Sequence, residues 1–112
     1  MSNRSPVPAA DAAAPVFAAL GDPTRLALLS RLCDGQSQSI VQLTQGTGLS
    51  RQGVKKHLTV MEHAGIVTSN RVGRESQFTV RPETLAETSQ YLARAAQQWS
   101  NAIDRLKQHL GE

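Results

Sequence analysis

The sequence predicts a mainly α-helical domain with one small β-hairpin, and three observations predict it. Residues 49–65 carry a helix start, a helix stop and a narrow apolar stripe between them. Two runs of strand-forming residues, Val67 to Arg71 and Ser76 to Val80, flank a tip containing Gly73. From Pro82 to about Leu110 the chain runs without another Pro or Gly. The length of 112 residues sets one domain with a modest core. Only 4% of residues are aromatic, so that core must rest on Leu, Val, Ile and Ala.

The start, residues 1–14, is rich in Ala, Pro and Ser and reads as a flexible tail. It lacks the unbroken apolar stretch of a secretory signal. Residues 15–112 form the folded part. No apolar run approaches the roughly 20 residues of a membrane span, so no membrane partner is expected. Cys33 is the single cysteine, which excludes an internal disulfide and suits a reducing cytoplasm.

A short first helix is expected from Pro15 to Leu20, with Val16, Phe17 and Leu20 as its apolar contacts and Gly21 ending it. Asp22-Pro23 opens the second helix. Asp22 is a good N-cap, and Pro23 fits the first helical position, where an N–H is not needed. Leu26, Leu29 and Leu32 give this helix its expected buried face, with Cys33 at its packed end. Arg25 reads as structural, its stem on the core and its head on a carboxylate or a helix end. Ser39 caps a third helix, with Ile40 and Leu43 inward. Gly46-Thr47-Gly48-Leu49 then makes a tight turn into Ser50. Two short helices joined by a few residues containing Gly are the helix-turn-helix pattern.

The next helix, opened by Ser50 and closed by Gly65, buries Val54, Leu58 and Met61 at i, i+4 and i+7. Arg51, Gln52, Lys55 and Lys56 lie off that stripe, near the helix start. Long donors on the first turns of an exposed helix suit a DNA major groove. After it, Phe78 and Val80 alternate with Gln77, Thr79 and Arg81, giving a strand with one wet face. Arg71 and Arg74 sit at the hairpin end, placed to meet phosphates or a minor groove. Helix and hairpin together make a winged helix-turn-helix. Charge agrees: residues 50–81 hold six cations against two acids, residues 1–49 balance, and residues 82–112 carry −1. All the excess positive charge thus sits on the reading helix and hairpin, the footprint expected for a polyanion.

The last helix spans roughly 40 Å at 1.5 Å per residue. Leu85, Leu92, Trp99 and Leu106 recur every seven residues, with Ser89, Ala96, Ile103 and Leu110 four behind. Such a heptad seam suits a partner helix. A homodimer through the terminal helices is expected, its interface drawn from Phe17, Leu20, Leu85, Leu92, Trp99, Ile103 and Leu106. The rival arrangement folds the seam back on its own domain. Two reading heads one DNA turn apart would read a dyad-symmetric site.

With these pieces placed, the chain resembles the ArsR family of bacterial winged-helix repressors. The phrase Phe17-Ala18-Ala19-Leu20-Gly21-Asp22-Pro23-Thr24-Arg25-Leu26 resembles the family's opening signature. Leu49-Ser50, Lys56-His57-Leu58, Glu62 and Ala64-Gly65-Ile66-Val67 resemble its recognition helix and the run into the wing. Gly73-Arg74 and Phe78 resemble its wing. The match covers residues 15–110. It implies a dimeric repressor that acts by occupying an operator. Metal-sensing members carry paired cysteines on the third helix, where this chain has Ser39-Ile40-Val41-Gln42-Leu43-Thr44. His109 and Glu112 match part of another metal set, but its upstream Asp-x-His is missing. Two ligands do not make a closed zinc site. The long helix with Tyr91 and Trp99 is similar to the metal-independent branch, so neither metal nor cofactor is expected. The inducing ligand is not legible. A metal- or redox-responsive repressor and a protein-binding winged helix are the alternatives.

Within this reading, Arg51 and Gln52 address base edges, Lys55 and Lys56 phosphates, with Lys55 able to do either. Ser50 caps the helix and touches a phosphate. His57 reads as structural or phosphate-contacting. An enzyme is not expected. His57, His63 and His109 are scattered, Glu62 and His63 point about 100° apart on a helix, and no phosphate loop or activated nucleophile is present.

Overall fold

The alanine-rich start forms helix rather than tail. The computed structural model describes residues 6–34 and 36–111, with side chains from residue 10 onward, and α1 runs over Pro6–Leu20. The expected tail of residues 1–14 is thereby corrected over residues 6–14, while residues 1–5 lie outside the described residues. The alanine run has the highest helix propensity of any residue type. It also contributes Ala13, which is buried together with Val16 and Ala19. Pro15 lies inside the helix, not at its start. A mid-helix proline removes one hydrogen bond, which made it read as a boundary; here alanine propensity and packing on both sides prevail.

α2 spans Pro23–Leu32, and Asp22 caps it by accepting the Arg25 backbone N–H at 3.0 Å. Its buried residues are Leu28 and Leu32, not the expected Leu26, which is 49% exposed. At 100° per residue, Leu26 points about 160° away from Leu28, so the core direction set by Leu28 and Leu32 leaves Leu26 on the outside. Leu29 packs at the core's edge. Cys33 is exposed rather than packed, because one residue beyond Leu32 turns outward.

A two-residue strand, β1 (Gln38–Ser39), follows and leads into α3 (Ile40–Thr44). Ser39 opens α3 with a capping box: its hydroxyl accepts from Gln42 N, and the Gln42 side chain accepts from Ser39 N at 2.8 Å. α4 spans Arg51–His63. Gly65 follows it at φ +80, donating to Glu62 O, while Ile66 N reaches back to Met61 O. This left-handed residue closes the last turn and aims the chain into the sheet.

β2 (Val67–Val72) and β3 (Glu75–Val80) pair antiparallel from Val67↔Val80 to Val72↔Glu75, leaving Gly73-Arg74 as a two-residue tip. Gly73 supplies the positive φ (+64) such a tight turn needs. β1 pairs with β3 at Gln38↔Phe78, so the sheet has three strands in the order β1-β3-β2. The sequence predicted only the hairpin; two residues are too few to show a strand period. α5 runs over Pro82–His109, with Pro82 at its first turn.

Around one core, Leu28, Leu32, Leu43, Val54, Leu58, Met61, Ile66 and Val67 are each at most 1% exposed. Leu20 and Leu85 pack against this same core. Both are only half-buried there; Leu85 lies in the first turn of α5, where the helix leaves the sheet beside Leu32 and Val80. Phe17 is half-buried against Tyr91, ring centroids 6.0 Å apart.

Candidate nucleic-acid interface

The turn before α4 is built by side chains on its own backbone. Thr47 donates its hydroxyl to Thr44 O at 2.7 Å and accepts from Leu49 N at 3.1 Å. Arg31 on α2 donates to Leu43 O and Gln45 O, both at 2.8 Å, and to Gln42 O at 3.2 Å. One guanidinium thus ties α2 to three carbonyls at the end of α3, of which Gln42 O also accepts from Gln45 N at 3.3 Å. Nothing local in the chain marks this role, because Arg31 and its acceptors are 11 to 14 residues apart.

The turn delivers Ser50, whose hydroxyl accepts from Gly53 N at 3.0 Å, as expected of a cap. Val54, Leu58 and Met61 are each 0% exposed, which fixes the rotation of α4. Arg51, Gln52, Lys55 and Lys56 consequently face outward, all exposed. On the far side, the Ser69 hydroxyl donates to Glu62 Oε2 at 2.9 Å, tying the wing strand to α4 and occupying an acid of the helix.

The wing folds back over the start of α4. Arg51, Gln52, Lys55 and Arg74 line one cleft of about 360 Å³, together with Ser39, Ile40, Val41, Glu75 and Ser76. Residues more than 20 apart in sequence are thus brought to one concave basic surface. Lys56 is exposed outside this cleft, and Arg71 lies along the wing with its Nε 3.4 Å from Gly73 O. The cleft wall of Ser39, Ile40 and Val41 went unread in the sequence as part of the site; it depends on β1 docking against β3. An open groove with cations on a helix and on a hairpin, and no salt-bridge partner for them among the described residues, is suited to a polyanion.

His57 faces inward from the same helix, 3.2 Å from Arg25 Nη1 and 3.8 Å from Asp22 Oδ2. Its structural alternative is the one this geometry matches. The Asp22 carboxyl is held below the usual carboxylate range, chiefly by accepting the Arg25 backbone N–H and further by the nearby Arg25 charge. Among the described residues, no three His, Cys, Asp or Glu side chains are grouped so as to hold a metal ion. Among them too, no helix is long and apolar enough to cross a membrane.

A helix-turn-helix domain family matches residues 20–70. An ArsR-like transcriptional regulator from Rhodococcus sp. RHA1 superposes with a TM-score of 0.71 at 35% identity, over 88% of this chain and 92% of that one. The chain belongs to the ArsR family. Two further relatives are named as a transcriptional regulator and a repressor. An uncharacterised helix-turn-helix transcriptional regulator of Bacillus subtilis is 38% identical, over 53% of this chain and 71% of that protein. A probable mercury resistance operon repressor of Streptomyces lividans is 32% identical, over 69% of this chain and 61% of its own length. ArsR-family proteins are DNA-binding transcriptional regulators, not enzymes. The winged helix-turn-helix architecture expected from the sequence is the architecture of this ArsR-family chain.

Proposed function

We propose that the protein is a homodimeric repressor that occupies a dyad-symmetric operator of its own or neighbouring genes in the bacterial cytoplasm. The observation that carries this reading is the cleft in which the start of α4 and the wing tip present Arg51, Gln52, Lys55 and Arg74 together. α4 enters the major groove. Arg51 donates to guanine and Gln52 pairs with adenine, while Lys55 and Lys56 bind phosphates and Ser50 adds a contact beside its capping bond. Arg71 and Arg74 extend the footprint along the flanking backbone.

The dimer is supported by an apolar face on α5 that the described residues leave uncovered. Leu92, Trp99, Ile103 and Leu106 are 44%, 58%, 51% and 62% exposed, and Leu110 continues the same face. Large apolar side chains in one heptad row are rarely left wet on a monomer. A second copy, antiparallel or parallel, covers this row with its own. Phe17 flanks the row from α1.

Titration of the protein against DNA from upstream of its own gene tests the reading. Affinity falls steeply with salt in proportion to the phosphates neutralised. Arg51→Ala relaxes sequence preference, whereas Lys56→Ala weakens all sequences and lowers the salt slope by about 1. Absence of DNA affinity at any salt would replace this reading with a protein-binding module.

A further inference from the structure

Arg25 lies away from the basic cleft, yet its guanidinium joins three elements. Nε donates to the Ala19 carbonyl in the last turn of α1. Nη1 is 3.2 Å from His57 Nδ1 on α4. The backbone N–H of Arg25 donates to Asp22 Oδ2, and that oxygen is 3.8 Å from the same His57 nitrogen. A guanidinium has donors only. His57 Nδ1 is therefore the acceptor in this contact, and the ring hydrogen resides on Nε2.

The place of this contact matters. Val54, Leu58 and Met61 hold α4 by apolar packing, which is strong but non-directional. Such packing sets which side of α4 faces out, but it resists separation more than it resists a small slide or tilt of the helix axis. Hydrogen bonds are directional, and Arg25–His57 is the side-chain hydrogen bond from α4 to the α1–α2 corner among the described residues. α1 in turn packs along α5, with Phe17 against Tyr91. One line of contacts thus runs from the terminal helix through α1 and Arg25 to the reading helix.

We infer that Arg25 and His57 are positioning residues that fix the angle between the reading helix and the dimer helices. In a two-fold dimer that angle sets the distance between the two reading heads, and so the half-site spacing that is recognised. The inference rests on the dimeric DNA-binding reading above. Neither residue touches DNA in this role. Their loss broadens the accepted spacing, an effect that removing a base or phosphate contact does not have.

The test compares the parent with Arg25→Ala, His57→Leu and His57→Gln on three duplexes: the operator found by footprinting, and derivatives with the half-sites one base pair closer or farther. The parent favours its own spacing by about tenfold or more, the scale of one mismatched base pair. Arg25→Ala and His57→Leu lose most of that preference, to within about threefold across the three duplexes. Their low-salt affinity for random DNA stays within about threefold of the parent, since at most one cation is removed. His57→Gln, whose amide oxygen accepts from Arg25, retains the preference. Circular-dichroism melts establish that each variant is folded. Folded Arg25→Ala and His57→Leu variants that keep the parent's spacing preference would overturn the inference. A parent that binds no DNA overturns the proposed function first, and is told apart because it is read before any variant.

Discussion

Trp99 offers the sharpest perturbation of the dimer. It is the only tryptophan, it is 58% exposed, and it lies in the middle of the uncovered α5 row. A whole tryptophan presents roughly 250 Å², so about 150 Å² of this one awaits a partner, and Trp99→Ala removes about 100 Å² of that. At about 25 cal/mol per Å² this is about 2.5 kcal/mol per protomer. A two-fold interface contains the change twice, giving about 5 kcal/mol with full coverage and half that with partial coverage. The dimer dissociation constant should rise roughly a hundredfold to a few thousandfold. Sedimentation equilibrium over a dilution series reads it directly. In the parent, tryptophan emission should shift to the red on dilution, as the indole becomes wet. A change in the dissociation constant below about threefold, or parent emission independent of concentration through the monomer–dimer range, would refute the reasoning.

Other perturbations address the scaffold. Leu58→Ala, at a 0% exposed core position, should cost about 3 kcal/mol in chemical denaturation, on the scale of a leucine deletion that leaves a cavity. Gly53→Ala should stabilise the fold by about 0.5–1 kcal/mol in the same assay; the added carbon meets Ser50 Oγ at 3.4 Å, an ordinary contact. The Asp22 carboxyl titrates below its ordinary range in the folded protein. Its contribution is therefore present above the unfolded value near 3.9 and lost as pH falls through the lowered folded value. Thermal midpoints of the parent and Asp22→Asn should differ at neutral pH and converge below about pH 4.

Much of this architecture is legible along the chain because its signals are local. Ser39, Ser50 and Asp22 announce helix starts through residues three positions on. The Val54, Leu58, Met61 stripe fixes which side of α4 faces out, and hence the exposure of Arg51, Gln52, Lys55 and Lys56. What the sequence hides is set by tertiary contact. β1 exists because Gln38 and Ser39 meet Phe78 and Gln77, a pairing no two-residue pattern announces. Pro15 marked a boundary that packing of Ala13 and Val16 erased. Leu20 and Leu85 fit the apolar seam by spacing, but spacing does not show that each also packs partly against the chain's own core. Arg31 and Arg25 read alike as single cations on α2; only the folded chain reveals that one holds the turn before α4 and the other reaches α4 itself.

Hydroxyl-radical footprinting of the protein on DNA upstream of its own gene tests the central claim most directly. The account predicts two equal protected patches, related by a dyad and about one helical turn (roughly 10 base pairs) apart, with two chains per site and protection fading as salt rises. A single asymmetric patch occupied by one chain, or no protection even at low salt, would contradict it.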